Sequence, residues 1–223
     1  MNILSFEETK AIVVYPEKLE EKFNFLIQNY FTKSEINTIK ETVNYIKDKH
    51  LGQFRKESTP YYTHCLLVAI NFMNYEISTV EDILVCLLHD VIEDNPYTKI
   101  EEIAGKYGNY VAESVLGLSK IRNGIKITDV DYYSYIQNNE NIAKYKGYDR
   151  LSNLYSLYYA TEWNKRDKYI IETEEKILPI LDNFNLDVAN KIREILGYLR
   201  LHPTLTVSEV ARIQELKLQK NQL

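Results

Sequence analysis

Cysteine, glycine and proline are all scarce in this chain, which has 223 residues but only two, seven and five of these residues respectively. Cys65 and Cys86 both lie in apolar runs. We expect them to be buried as small hydrophobic residues, and they imply no disulfide framework. Few residues break helices, which predicts an all-α fold. A hydrophobic content of 45% is enough for one sizeable core.

The chain also lacks an excess of basic residues, a leader segment and a long apolar run. Its net charge is −5 and its pI is about 5.5, which argues against a general affinity for nucleic acid. No run approaches the roughly 18 apolar residues of a membrane span, and residues 1–8 lack the pattern of a signal peptide. We therefore expect a cytoplasmic protein whose partner is a small molecule, with no membrane contact. The oligomeric state stays open.

Several segments carry the apolar spacing of three to four residues that is typical of helices. The clearest begins at Ser34, and residues 174–181 and 188–199 give two more. Ser78 and Glu81 form a capping-box pattern ahead of the apolar run 82–88. Residues 123–131 are the predicted mobile loop, and one short helix is expected after Pro203.

The most informative stretch is His89-Asp90, which ends the apolar run 82–88 and is followed by Glu93-Asp94. An imidazole and three carboxylates beside apolar residues are unfavourable unless something compensates the charge, and a divalent metal does so. On a continuous helix, His89 and Glu93 share a face while Asp90 points about 100° away. Taken alone, His89 is also explained as a satisfied histidine at a helix end, and Glu93-Asp94 as solvated acids.

Only four histidines are available as further ligands. His64 precedes a second apolar run, whereas His50 and His202 have no acidic partner at ligand spacing and are expected at the surface or at helix caps. Asp149 is an acidic residue in an otherwise polar and aromatic helix. Two imidazoles and two carboxylates suit manganese, iron, magnesium or zinc. The candidate ligands are His64, His89, Asp90 and Asp149.

The order of these motifs resembles a known family. The blocks are 52–56, 60–64, 89–94, 107–112, 117–120 and 146–153. Together they are similar to the HD-type hydrolase domain of RelA/SpoT homologues, which removes pyrophosphate from the 3′ position of (p)ppGpp. The resemblance covers roughly residues 36–200. It implies an all-α, HD-domain helical bundle.

The resemblance also implies a role for each matching position. His64, His89, Asp90 and Asp149 match the family's ligands to one Mn²⁺ ion. Glu93 and Asp94 match the acidic pair that positions and deprotonates the attacking water. The positions that match the nucleotide pocket are Arg55, Lys56, Tyr61, Lys146, Arg150, Asn153 and Ser156.

Two positions depart from the family pattern. The chain has Glu57-Ser58-Thr59 where the family usually has Ser-Gly-Glu, and Tyr155 where the family commonly has arginine. Neither change removes a ligand or the acidic pair, but both affect contacts to the base and the phosphates. A stacking role towards a guanine-type base is open to Tyr61, Tyr155 or Tyr159.

The expected organisation is an N-terminal helical extension (1–35), the hydrolase domain (36–200) and a C-terminal helical tail (201–223) in a single globular unit. The residues after about 200 are too few for another catalytic domain, which predicts a small, stand-alone alarmone hydrolase. Two alternatives remain. One is an HD phosphohydrolase acting on (p)ppApp, NADPH or a dNTP, and the other is a non-catalytic nucleotide-binding regulator. The intact Glu93-Asp94 pair argues against the regulator.

Overall fold

The computed structural model describes residues 6–122, 124–160, 163–202 and 205–221. The described chain is helical apart from one two-stranded antiparallel hairpin, which confirms the all-α prediction. The elements are α1 Phe6–Val13, α2 Pro16–Tyr30, α3 Lys33–Lys49, α4 Tyr62–Tyr75, α5 Val80–Leu88, α6 Val91–Asp94, α7 Ile100–Tyr107, α8 Asn109–Leu118, β1 Ile121–Arg122, β2 Ile125–Lys126, α9 Asp129–Gln137, α10 Glu140–Leu157, α11 Trp163–Glu172, a π-helical turn Thr173–Ile177, α12 Leu178–Phe184, α13 Leu186–Leu201 and α14 Val207–Lys220.

Three helices form the centre of the molecule. Every residue from Thr63 to Asn74 in α4 is buried, as are the last six residues of α5 and most of α10. A helix that is enclosed on all sides needs no polar stripe, which explains the uninterrupted apolar runs of α4 and α5. Helix α4 packs against both α5 and α10. This packing brings the start of α4, the end of α5 and the middle of α10 together.

The remaining helices surround this centre. Helix α2 packs on α4, α3 on α5, and both α1 and α13 on α10. The N- and C-terminal segments also meet, because Lys10 lies 3.2 Å from the Glu209 carboxylate of α14. No helix in the described ranges has the length and apolarity that a membrane crossing requires. The division into three parts stays a prediction.

Some local boundaries differ from the predicted ones. Thr79 and Asp82 form the capping box of α5, and the Ser78 hydroxyl donates to the Glu76 carbonyl instead. The predicted loop 123–131 includes β2 and the first turn of α9, which Thr128 caps. The C-terminal helix α14 has 14 residues and is not short. Pro203, from which this helix was predicted to follow, lies outside the described residues.

Helix α10 comes unusually close to α12 at Gly147. A Cβ atom at this position would lie 2.7 Å from Leu181 Cδ2, which is closer than real contacts allow. Glycine therefore permits the close packing two residues before Asp149, the candidate ligand on the same helix.

Candidate active site

The four candidate ligands come from the three central helices. His64 lies in the first turn of α4, His89 and Asp90 follow α5, and Asp149 lies in the middle of α10. The chain is not one continuous helix at His89, because α5 ends at Leu88 and α6 begins at Val91. The side chains of His89 and Asp90 both reach the cluster, with 3.0 Å between His89 Nε2 and Asp90 Oδ2.

The ligand atoms form a close cluster. His64 Nε2 lies 3.2 Å from His89 Nε2 and 3.6 Å from Asp90 Oδ2, and one ligand atom from each of these three residues lies within 4.8 Å of the others. Asp149 Oδ1 lies 3.1 Å from His64 Nε2 and 3.6 Å from His89 Nε2. The imidazoles and the Asp149 side chain are almost entirely buried. His64, His89 and Asp90 thus form one group that could hold a metal ion, and Asp149 lies next to both imidazoles.

Neighbouring groups fix the orientation of each ligand. His89 Nδ1 lies 2.8 Å from the Cys86 carbonyl oxygen. Donation of the Nδ1 proton to this carbonyl leaves the Nε2 lone pair directed into the cluster. The Tyr61 hydroxyl donates to Asp90 Oδ2 at 2.6 Å. The Lys146 ammonium group binds Asp149 Oδ2 at 2.7 Å.

The buried carboxylates of the cluster favour a positive charge next to them. Burial lowers the pKa of His64 to about 4. Burial acts in the same direction on His89, but the carboxylates of Asp90 and Asp149 outweigh it and raise its pKa to about 10. The pKa of each carboxyl group lies below its ordinary value despite burial, because His89 stabilises charged Asp90 and Lys146 stabilises charged Asp149. A divalent cation would supply the charge that His89 otherwise takes from a proton.

The distances between the imidazoles and the carboxylates are close to those expected around a single ion. Two ligand atoms that are each about 2.1 Å from one metal lie about 3.0–3.4 Å apart in octahedral or tetrahedral geometry. The measured separations between the imidazole nitrogens and the carboxylate oxygens are 3.0–3.6 Å. The mixed nitrogen and oxygen set suits a borderline or hard divalent ion. These residues therefore fit a metal ion.

Glu93 and Asp94 lie in the one-turn helix α6, directly beyond the cluster. Both side chains are half-buried. Burial and the nearby carboxylate of Asp90 raise the pKa of Asp94 to about 6, although a hydrogen bond from Tyr61 opposes the shift. Glu93 Oε2 accepts a hydrogen bond from the Lys120 backbone amide at 2.7 Å. A carboxylate with a raised pKa is a stronger base than an ordinary aspartate.

Some of the predicted pocket residues form a chain of contacts that reaches the cluster. Arg55 donates to Asn153 Oδ1 at 2.7 Å, and Asn153 Nδ2 donates to Asp149 Oδ1 at 2.5 Å. Lys146, Asp149 and Asn153 lie on one face of α10, because their spacings are three and four residues. The guanidinium group of Arg55 also lies 5.3 Å from the centre of the Tyr61 ring.

The other predicted pocket residues have contacts elsewhere. The Arg150 side chain leaves α10 in a different direction from that of Asp149. Its guanidinium group binds Glu172 at 2.9 Å and Thr173 at 3.0 Å. The Ser156 hydroxyl donates to Glu57 at 3.0 Å. The exposed Lys56 holds its ammonium group 5.5 Å from the Tyr169 ring. The structure does not bring these three polar groups into the ligand cluster.

The residues at the two departures from the family pattern include Glu57 and Tyr155, and both are buried in the interior. Glu57 is 1% exposed and accepts from the hydroxyl groups of Thr59 and Ser156. Tyr155 is stacked on Phe6 with ring centres 5.4 Å apart, and the Tyr159 hydroxyl donates to the Lys10 carbonyl. Tyr155 and Tyr159 are therefore part of the packing against α1, and neither ring is open to a nucleotide base.

Three contributors to this region were not recognised in the sequence. Tyr169 lies under Arg150, with the guanidinium group 4.0 Å from the ring centre. Gln53 donates to the Asp94 carbonyl, and the Lys120 amide binds Glu93. A backbone amide leaves no signal in the sequence, and Tyr169 is one of 19 tyrosines. His50 caps the end of α3, as predicted for a capping residue. It is buried beside Tyr61 and does not lie at the surface.

Comparisons with known proteins identify relatives over much of the chain. The bifunctional (p)ppGpp synthase/hydrolase SpoT of Escherichia coli is 37% identical over 103 residues, which are 46% of this chain and 14% of that protein. The guanosine-3′,5′-bis(diphosphate) 3′-pyrophosphohydrolase of Aquifex aeolicus is 33% identical over 183 residues, which are 79% of this chain and 25% of that protein. The chain thus spans a quarter or less of the length of these relatives. No model of a protein family matches it.

A solved structure has the same fold. It is that of a metazoan orthologue of SpoT that hydrolyses ppGpp, and it aligns with a TM-score of 0.62 and 23% identity over 72% of this chain and 94% of the other. At this identity the structural match supports the fold only. The sequence relatives and the fold agree with the motif order. The chain is therefore a relative of the RelA/SpoT-type hydrolases and has their helical HD-domain fold, which confirms the resemblance indicated by its motifs.

Proposed function

We propose that this protein is a metal-dependent hydrolase of guanosine alarmones that converts (p)ppGpp and water into GDP or GTP and pyrophosphate. The observation that carries the proposal is the convergence of two imidazoles and two carboxylates beside Glu93 and Asp94. The named activities of the relatives suggest the substrate. A binding protein without catalytic activity has no need of the acidic pair.

His64, His89, Asp90 and Asp149 would hold a single divalent ion, for which we propose Mn²⁺. The ion, when bound, lowers the pKa of a water molecule and polarises a phosphoryl oxygen. The donor set supports manganese because imidazole and carboxylate ligands both suit this metal. Tyr61 and Lys146 keep the two carboxylates in place through hydrogen bonds to the oxygens at 2.6 and 2.7 Å.

Asp94 and Glu93 would deprotonate and orient the attacking water. Asp94, with a pKa raised to about 6, is suited to accept the proton of the water near neutral pH. Glu93 would orient the same water with the carboxylate oxygen that the Lys120 amide leaves free. General acid–base help of this kind contributes roughly 100- to 10,000-fold to a rate.

The basic residues would bind the phosphate groups. Arg55 has a planar guanidinium group that matches a phosphate in two places, whereas Lys56 and Lys146 act as point charges. The Arg55 guanidinium group packs on the Tyr61 ring, and Asn153 links Arg55 to Asp149 through hydrogen bonds. Arg150 and Ser156 would contribute mainly by holding α10 and the 57–59 loop in position, given their internal contacts.

The proposed reaction breaks one bond. Water attacks the phosphorus atom that is bound to the ribose 3′ oxygen, a new P–O bond forms, and the bond between that phosphorus and the 3′ oxygen breaks. The 3′ oxygen takes up a proton and remains with the nucleoside. The oxygen of the water leaves in pyrophosphate.

The test is product identification with a nucleotide panel. Metal-loaded protein is incubated with ppGpp, pppGpp, ppApp, NADPH and a dNTP, and the products are separated by anion exchange. We expect GDP or GTP and intact pyrophosphate from the guanosine alarmones, and no products after treatment with a chelator. Tripolyphosphate from the dNTP, or orthophosphate from NADPH without turnover of ppGpp, would assign another substrate. Binding of ppGpp without any product would assign a regulator.

A further inference from the structure

The Glu93 carboxylate is held by the backbone of the hairpin that follows α8. The Lys120 amide donates to Glu93 Oε2, and nitrogen and oxygen are 2.7 Å apart. We propose that Lys120 is a positioning residue, whose backbone N–H orients Glu93 towards the attacking water. This inference rests on the proposed function.

The amide of Lys120 is presented by a rigid turn. Ser119 is fully buried, and its hydroxyl donates to the Ile121 carbonyl at 2.7 Å while accepting from the Ile121 amide at 3.0 Å. The Ser119 amide in turn donates to the Val115 carbonyl of α8 at 3.2 Å. The Tyr132 hydroxyl binds the Leu118 carbonyl at 2.8 Å, which ties the same turn to α9. The direction of the Lys120 N–H is therefore set by the fold.

The other polar groups of Lys120 are engaged elsewhere. Its carbonyl accepts from the Ile127 amide at 2.9 Å, which extends the hairpin by one pair. Its ammonium group binds Asp129 at 2.9 Å on the surface. The hydrogen bond of the amide is thus separate from the pairing of the hairpin and from the side-chain ion pair.

Glu93 needs such support because its own helix provides little. Helix α6 has only four residues, and a single turn is not stable without outside contacts. A cavity of about 850 Å³ lies between α6 and the hairpin, with Ile92 and Glu93 on one side and Ile121 and Gly124 on the other. The hydrogen bond from Lys120 joins Glu93 to the start of the hairpin. Without it, the glutamate side chain is free to adopt other rotamers.

Replacement by proline removes the amide hydrogen and, with the lysine side chain, the surface ion pair to Asp129. Ser119 has φ −82° and ψ 134°, a conformation that proline tolerates in the residue before it. We expect Lys120→Pro to lower kcat on ppGpp by about 10- to 100-fold, with bound metal and KM retained, because misorientation of a reacting group has effects of this size. Asp129→Ala is the matched control, because it breaks the same surface ion pair from its other partner. It loses the surface ion pair but keeps the amide, so its kcat should stay within about two-fold of wild type.

A double-mutant cycle separates positioning of Glu93 from general damage to the hairpin. In a Glu93→Gln background the catalytic carboxylate is already absent, so Lys120→Pro should produce no further loss. An equal loss in both backgrounds would overturn the proposal. Full activity of Lys120→Pro beside an active wild type would overturn it as well. A wild type that releases no pyrophosphate from ppGpp would contradict the proposed function instead.

Nuclear magnetic resonance tests the contact without any turnover and without the proline variant. An amide that donates to a carboxylate has a proton resonance at low field. We expect the Lys120 amide proton of Glu93→Ala to move upfield, while the Ile127 amide proton stays in place because its partner is unchanged. A Lys120 resonance that does not respond to loss of Glu93 would overturn the proposal.

Discussion

The proposed metal ligands and the basic residues around them are held in different ways. The imidazoles of His64 and His89 and the Asp149 side chain lie on buried helices whose packing defines their positions. Arg55 and Lys56 lie instead in the irregular segment between α3 and α4, where the Arg55 guanidinium group contacts the Asn153 side chain and the Tyr61 ring. Core packing resists displacement, whereas a side-chain contact can be exchanged for a substrate phosphate. The candidate ligands are therefore held more rigidly than the basic residues that are proposed to bind substrate.

A second contrast appears within α10. Asp149 and Arg150 are neighbours in sequence, yet their side chains point about 100° apart. Asp149 enters the ligand cluster, while Arg150 enters an internal network with Glu172, Thr173 and Tyr169. Proximity in sequence to a ligand therefore does not define a role in binding substrate.

Removal of a ligand should have the largest effect. His89→Ala or Asp149→Ala leaves three of four ligands, so bound manganese and turnover should both fall to the level of the metal-free protein. Metal content by mass spectrometry and pyrophosphate release measure the two quantities. His202→Ala is the control, because this exposed histidine caps α13 away from the cluster. Stoichiometric metal in both ligand variants would show that the site is elsewhere.

Neutralisation of the acidic pair should separate chemistry from metal binding. Glu93→Gln combined with Asp94→Asn preserves shape but removes the base, so kcat should fall by about 100- to 10,000-fold. Metal and nucleotide should remain bound, which calorimetry can measure. Wild-type rates would exclude the role of general base, and loss of metal would make one of these residues a ligand.

Alteration of the binding surface should change KM more than kcat. Arg55→Ala removes a guanidinium group that is proposed to bind phosphate, and hydrogen bonds to charged groups contribute about 1.5–3 kcal/mol. We therefore expect KM for ppGpp to rise by about 10- to 100-fold. Arg55→Lys should recover part of this loss, because lysine keeps the charge but not the paired geometry. An unchanged KM in the alanine variant would remove Arg55 from the phosphate site.

Arg150 should show the opposite pattern, with the smallest effect on catalysis. Arg150→Ala leaves Glu172 without its buried partner, and because Glu172 is partly exposed we expect a loss of about 2 kcal/mol in unfolding free energy. In a chain of this size that corresponds to a Tm decrease of about 4–8 °C. KM should change by less than about two-fold. A higher KM at unchanged Tm would return Arg150 to the substrate pocket.

Much of the fold and of the ligand cluster could be predicted from the sequence. The apolar runs around His64 and His89 indicated buried helices, and the order of the motifs indicated the family. The pair Thr79 and Asp82 was missed because Ser78 and Glu81 offer the same pattern one residue earlier, and only the backbone conformation distinguishes them. The hairpin, whose second strand lies in the predicted loop, was missed because two-residue strands carry no alternation.

The contacts of the binding residues could not be predicted for a different reason. These contacts depend on which residues the fold brings next to each long side chain, and those residues are distant in the sequence. Arg55 meets Asn153 98 residues away, and Ser156 meets Glu57 99 residues away. Helical periodicity predicts faces and not tertiary partners.

The most direct test of the central claim is the fate of the oxygen of the attacking water. Metal-loaded protein hydrolyses ppGpp in water labelled with heavy oxygen, and mass spectrometry locates the label. Attack at the phosphorus on the ribose 3′ oxygen predicts one labelled oxygen in intact pyrophosphate and none in GDP. Label in GDP, or in orthophosphate released alone, would contradict the account.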